Sequence, residues 1–423
     1  MVTAMQHRLL AVVTVLVPGL AYAQPAGAPP APPATGTTEG EVAPPPADAP
    51  PAEPPPAEPP PAVDAAPSPP PSDNAISAKY DKGLTFETAD EKFELKASVR
   101  SQFRTETTKS HADGSEWATR FALPRLRLQL EGHAYGKDNG YKVEFDFANR
   151  GFSLLKDFYF DHAYGKVHLR AGQWKKPFNR QELVSDFGSD FLERSIVNEF
   201  SGAGRDLGVA VHNNYEKSPE GVEWAAGLFN GTGEKPSIKT TCTSSGTCTS
   251  GLPSNVPADW GPMLVGHVGY NHGGIKGYSE ADLEGGPLRF AVALSYKLNL
   301  RNFAKDASGD TTFEHVVVAD AMVKVEGIDI TGAVAVKKDA AADAEVAFYG
   351  QGGFMLVPKK LLGSVRFAQV PVGEESLHEI LGGIDWFLQG HNLKLMVDAG
   401  VLHTTGDTGG SDVQIRTQLQ AVL

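Results

Sequence analysis

The chain has 423 residues, 21% of them charged, and a formal net charge of -13. Such acidity argues against a nucleic-acid partner, and none is expected. The two cysteines, Cys242 and Cys248, share the loop-like stretch "TTCTSSGTCTS", which suits a small disulfide ring outside the cytoplasm better than a metal site.

Arg8 precedes an apolar run from Leu9 to Leu20, and Ala21-Tyr22-Ala23 then gives a small-x-small cleavage site. The run is short of the roughly 20 residues a spanning helix needs. Residues 1–23 are therefore predicted to be a signal peptide. Residues 24–75 are Pro-rich and have no apolar periodicity, so they are predicted to be a disordered linker with polyproline II character. The linker's charges are all acidic: Glu39, Glu41, Asp48, Glu53, Glu58, Asp64 and Asp73. With those seven and Arg8 set aside, the rest of the chain carries -7.

Residues 76–423 form the third predicted segment, and from Lys92 onward their dominant period is two. Phe93, Leu95, Ala97 and Val99 alternate with Glu94, Lys96, Ser98 and Arg100; Leu126, Leu128 and Leu130 alternate with Arg125, Arg127, Gln129 and Glu131. The runs predict sixteen strands, at 92–105, 117–132, 140–149, 153–163, 165–174, 205–213, 221–229, 262–271, 287–298, 314–325, 327–337, 344–356, 361–371, 376–389, 391–404 and 411–423. Many have the roughly 9–12 residues that cross a bilayer when tilted, and an even count suits a closed barrel. The expected fold is all-β, a transmembrane antiparallel barrel with leucine toward lipid and arginine toward the lumen. Tyr and Trp near strand ends, among them Tyr135, Tyr164, Trp174, Tyr270 and Trp386, suit a headgroup girdle. The longest connections, 175–204 and 230–261, fall on the side expected to be outside, whereas "GGIKGYSEADLEGG" is a long exception on the other side.

The chain contains no HExxH helix, GxSxG elbow or Walker loop, so neither an enzyme nor a cofactor is expected. The predicted inner face instead carries cations: Arg100, Arg104, Arg125, Arg127, Lys142, His168 and Arg170. Rings of Arg and Lys favour anions in pores, and arginine's planar fork suits phosphate oxygens. Glu94, Glu131, Glu144, Asp146, Asp157 and Asp161 share those walls, so charge counting leaves open a salt-bridged lumen without selectivity. The segment "NRQELVSDFGSDFLERSIVNEF" has helix-like spacing and lies in the third outside connection, the loop that in large barrels of this kind folds into the lumen, so Arg194 is expected at the constriction. The alternative for Arg194 is an ion pair with Glu193 or Asp190.

"LPRLRLQLEGHAYGKDNGYKVEFDFA", "LLKDFYFDHAYGKVHLRAGQWKKPFNRQEL", "FLERSIVNEF", "RDLGVAV" and "WAAGLFNGTG" occur in this order. As an ordered set they resemble the phosphate-selective outer-membrane porins of the porin O and P family. The resemblance implies a homotrimeric channel for phosphate or related anions in the outer membrane of a Gram-negative bacterium, in contact with its lipid. It also implies that Arg100, Asp157 and Arg194 meet at the narrowest point, with Arg125 nearby. Where phosphate-specific members carry a loop lysine this chain has Glu182, and Lys176 and Arg180 are the nearby candidates to replace it. The alternative function is a structural or ligand-binding barrel with a plugged pore and an envelope-spanning Pro-rich tail.

Overall fold

The computed structural model describes residues 75–148, 154–234, 240–242, 248–250, 261–300, 313–339, 342–406 and 409–423. The predicted signal peptide and nearly all of the Pro-rich linker lie outside the described residues. The strands are β1 (Ile76–Tyr80), β2 (Leu84–Thr88), β3 (Glu94–Lys109), β4 (Ala118–His133), β5 (Asn139–Asp146), β6 (Leu155–Tyr164) and β7 (Val167–Lys175). After them come β8 (Arg205–His212), β9 (Gly221–Phe229), β10 (Thr240–Cys242), β11 (Cys248–Ser250), β12 (Met263–His272), β13 (Arg289–Asn299) and β14 (Glu314–Val325). The last six are β15 (Ile328–Asp339), β16 (Glu345–Val357), β17 (Leu361–Val372), β18 (Glu375–Phe387), β19 (Leu393–Thr404) and β20 (Gly410–Val422).

The strands β3 to β9 and β12 to β20 pair antiparallel in chain order, with β12 following β9. β20 closes the sheet onto β3 from Val413↔Lys109 to Val422↔Arg100. The result is a closed sixteen-stranded barrel, and every predicted strand coincides with one of these. Closure pairs every strand along both edges, which a lipid-facing sheet requires.

The hairpin of β1 and β2 is not among the predicted strands. β2 pairs with the start of β3, from Leu84↔Ala97 to Glu87↔Glu94, continuing the line that β20 leaves at Leu423. β10 and β11 form a separate two-stranded ribbon whose register sets Cys242 opposite Cys248.

Alternation places Val99, Phe103 and Ile415 on the outer surface and buries Ser98, Gln102, Arg104, Arg127 and Gln129 inside. Along β4 the phase changes at a bulge, where Gln102 and Arg104 of β3 face Arg125 and Ala122. The extra residue falls at Leu123-Pro124, where proline's missing N–H is tolerated because the ladder is already broken. Phe121 and Leu123 before the bulge and Leu126 and Leu128 after it thus share the outer face. Tyr135, Tyr164, Tyr270 and Trp386 are exposed, as a girdle requires. Trp174 is not part of that girdle. It is 2% exposed and packs inside against Phe229 with the rings tilted and their centroids 5.0 Å apart, because the loop following β7 packs against it.

Candidate functional site

The connection from β7 to β8, residues 176–204, runs through the barrel interior. Inner-wall side chains reach its carbonyls from several directions: Gln102 Nε2 donates to Asp186 O (3.1 Å), Lys394 Nζ to Ser189 O (2.6 Å), Arg104 to Leu192 O (3.0 Å), Arg366 to Glu193 O (2.9 Å) and Lys297 to Ser201 O (2.8 Å). The loop holds two short helices, α1 (Arg180–Leu183) and α2 (Ile196–Phe200). Asn179 caps α1, its side-chain oxygen accepting the Gln181 N–H at 3.1 Å. Phe178 and Val197 pack on Val265, Val316, Val318, Ala335 and Ala347, whose small side chains make room for the loop. The loop therefore fills one side of the lumen with an apolar contact and presents Asp186 and Glu193 to β3 and β4.

Those charges converge on Asp186. Its carboxylate takes Arg194 Nη1 at 2.6 Å, Arg127 Nη1 at 2.7 Å and Arg125 Nε at 3.3 Å. Burial pushes the Asp186 carboxyl up, but Arg125, Arg194 and Arg127 outweigh it and hold the group well below the usual carboxylate range. Glu193 bridges the next step, with Arg104 Nη1 and Arg125 Nη2 each at 2.8 Å. The Glu193 side chain is 36% exposed, more open than Arg194 (17%) or Arg125 (13%). A small cavity beside the loop is lined by Arg125, Asp186, Glu193 and Arg194, and it is the gap at this loop.

The three residues expected to meet are placed on separate partners. Arg194 braces its own loop, donating to the carbonyls of Gln181, Glu182 and Val184 at 2.9, 3.2 and 2.9 Å. Its carboxylate partners are Asp186 and Glu182, not Glu193 or Asp190. Asp157 holds Arg205 Nε at 2.7 Å and Lys142 Nζ at 2.9 Å. Arg100 faces the lumen with its guanidinium 5.3 Å above the Phe187 ring, and no carboxylate lies within ion-pair distance of it among the described residues. Of the other wall cations, Arg127 also holds Asp146 at 2.9 Å, and Arg170 holds Asp161 at 2.7 Å and Glu216 at 2.9 Å.

Neither candidate replacement for the loop lysine faces the gap. Arg180 is fully buried between Asp320 (2.6 Å) and Glu223 (3.1 Å), and buried Lys176 donates to Arg205 O at 3.4 Å. Glu182 accepts from Asn198 Nδ2 at 2.9 Å and acts as a loop brace. Asp161, His168 and His212 bring three ligand-type atoms together. However, Asn214 N–H donates to His212 Nδ1 at 3.0 Å, which leaves the Nε2 proton pointing at Asp161. Arg170 takes the same carboxylate, so the group reads as a hydrogen-bond network.

Asp186, Glu193, Arg205 and Arg366 were not singled out by the sequence as site residues. Arg205 opens β8 out of phase with the inward Ala210 and His212, so alternation carries no signal for it. Asp186 and Glu193 sit in the quoted loop, but nothing in its spacing separates a hub from a helix cap.

Residues 93–280 match the family model described as phosphate-selective porin O and P. That stretch belongs to the porin O and P family. Among solved structures, the anion-selective porin of Comamonas acidovorans is 13% identical, with a TM-score of 0.52, over 78% of this chain and 99% of that one. The outer-membrane channel DcaP of Acinetobacter baumannii is 14% identical, with a TM-score of 0.49, over 77% of this chain and 97% of that one. At such identities the likeness concerns the porin fold, and the first of the two carries it. No curated protein matches the chain.

Proposed function

We propose that this porin is a passive, anion-preferring channel of the outer membrane of a Gram-negative bacterium, that it passes phosphate or polyphosphate-like anions, and that it assembles as a homotrimer. The observation that carries this reading is the gap lined by Arg125 and Arg194, with Arg100 nearby and without a carboxylate partner among the described residues. A narrow, poorly screened passage of guanidinium groups favours anions, and Arg's fork suits phosphate. The family description and the name of the Comamonas porin agree with this reading.

The gap is not uniformly cationic. Glu193 and Asp186 neutralise most of the arginines they touch, which argues for modest preference rather than exclusion of cations. A plugged barrel is the second reading, favoured by the extent to which residues 176–204 fill the lumen. Reconstitution separates the two: the channel reading expects steady current, a reversal potential on the anion side and block of chloride current by phosphate. A refolded barrel carrying no current would support the plug.

A further inference from the structure

The connection from β12 to β13, residues 273–288, sits by chain order at the mouth opposite the constriction loop, yet it also enters the interior. Ile275, Glu280, Ala281 and Asp282 are each 3% exposed or less. Lys324 Nζ donates to Ser279 O at 2.6 Å, Arg180 Nη1 to Gly277 O at 3.1 Å, and Arg289 pairs with Asp282 at 2.5 Å. The two infolded loops then join. Glu280 N–H donates to Gly188 O at 2.9 Å, and Asp190 N–H donates to Glu280 Oε2 at 2.8 Å.

At this junction the Asp190 carboxyl meets that of Asp329 on β15, the two side chains lying within hydrogen-bonding reach of each other. They are 1% and 0% exposed; among the described residues no side-chain donor bonds any of their four oxygens, and the Asp282 backbone N–H faces the Asp329 carboxylate. Gly353 makes room for the pair, since a Cβ there would lie 2.5 Å from Asp329 Oδ2. The charged groups around the pair are Glu280 and Asp282 from loop 273–288, Lys324 from β14 and Asp385 from β18, whose own partner is Lys394 from β19. Lys394 is taken by Asp385 (3.0 Å) and Ser189 O, and Lys324 by loop carbonyls, so neither lysine is bonded to the pair. Two carboxylates cannot both stay ionised in contact in a dry site.

We propose that a single proton shared by Asp190 and Asp329 is a latch that holds the tip of loop 176–204, and with it Glu193 and Arg194, against β15 and loop 273–288. Burial, then the neighbouring Asp329 and Glu280, push the Asp190 carboxyl well above the usual range. A raised carboxyl is neutral when docked, so docking is complete at acid pH and weakens as pH rises through the docked value. Deprotonation sets two negative charges side by side and releases the tip, four residues from Arg194.

The test is thiol labelling of Ser189→Cys in the full-length, refolded porin lacking Cys242 and Cys248, over pH 5 to 9, corrected for intrinsic thiolate reactivity. The latch predicts that the corrected rate rises several-fold with pH. It also predicts that Asp190→Asn, whose amide donates to Asp329 without titrating, keeps the slow rate throughout. Asp329→Asn tests the same bond from the other side should the first variant fail to give a heat-modifiable barrel. This readout does not depend on conduction, so it stands apart from the channel reading. A pH profile in both Asn variants like that of the parent would overturn the latch. So would a rate set by added calcium or a chelator at fixed pH, because the carboxylates would then be sharing a divalent cation.

Discussion

Removing the Glu193 charge should make the porin more anion-preferring. Its carboxylate lies 2.8 Å from both Arg104 and Arg125 and is the most open acid of the arginine gap. Partial burial raises that carboxyl, but Arg125 and Arg104 outweigh it and pull it down to about 2, so it is ionised at neutral pH and Glu193→Gln removes a full charge. Both arginines keep other partners: Arg104 holds Gln418 at 2.7 Å and Arg125 holds Asp186 at 3.3 Å, so the wall should not rearrange. For an anion passing about 6 Å from the lost charge, at an effective dielectric constant of about 40 to 80, the relief is roughly 0.7–1.4 kcal/mol. That corresponds to a roughly three- to tenfold gain in anion occupancy at the gap. The assay is the reversal potential across a planar bilayer under a salt gradient, read with the concentration at which phosphate blocks chloride current. An unchanged or lower anion preference in a heat-modifiable Glu193→Gln barrel would refute the reasoning, because the solvated path would then avoid Glu193.

Arg100→Ala should lower anion preference and weaken phosphate block without loosening the loop, since among the described residues Arg100 makes no ion pair and its guanidinium lies over Phe187; bilayer recordings with unchanged current noise would show this. Arg194→Ala should instead raise current noise and speed proteolysis of loop 176–204, because it removes three carbonyl contacts and leaves Asp186 and Glu182 short of a partner, a loss of order 3–5 kcal/mol to the loop. Changing Cys242 and Cys248 to Ser should leave the temperature of barrel unfolding on a gel unchanged, and alkylation of the untreated protein should find no free thiol. Deleting residues 24–75 behind the signal peptide should still yield a heat-modifiable barrel in isolated membranes.

The sixteen strands were legible because a closed barrel imposes one rule on each of them: apolar out, polar in, over a bilayer's thickness. That rule survives the bulge at Pro124, which resets the phase and so keeps leucines on the outside of β4. The hairpin of β1 and β2 went unread because its strands are five residues each, too short for a period to stand out. The site was legible by residue type but not by pairing. Alternation puts Arg125, Arg127 and Asp157 on the inner wall, whereas their partners Asp186, Glu193 and Arg205 come from a loop or a strand start that has no parity. Loop 273–288 was the least legible. "GGIKGYSEADLEGG" reads as solvated, and partners supplied by other parts of the chain, among them Lys324, Arg289, Arg180, Ser218 and Glu223, make its burial tolerable.

The most direct test of the central claim is the reversal potential of the refolded full-length porin in a planar bilayer under a potassium chloride gradient, repeated with phosphate added. The arginine gap predicts steady current, a potential displaced toward the chloride equilibrium value, and current that falls as phosphate rises. A potential displaced toward the potassium value, or a well-folded barrel with no current at all, would contradict it.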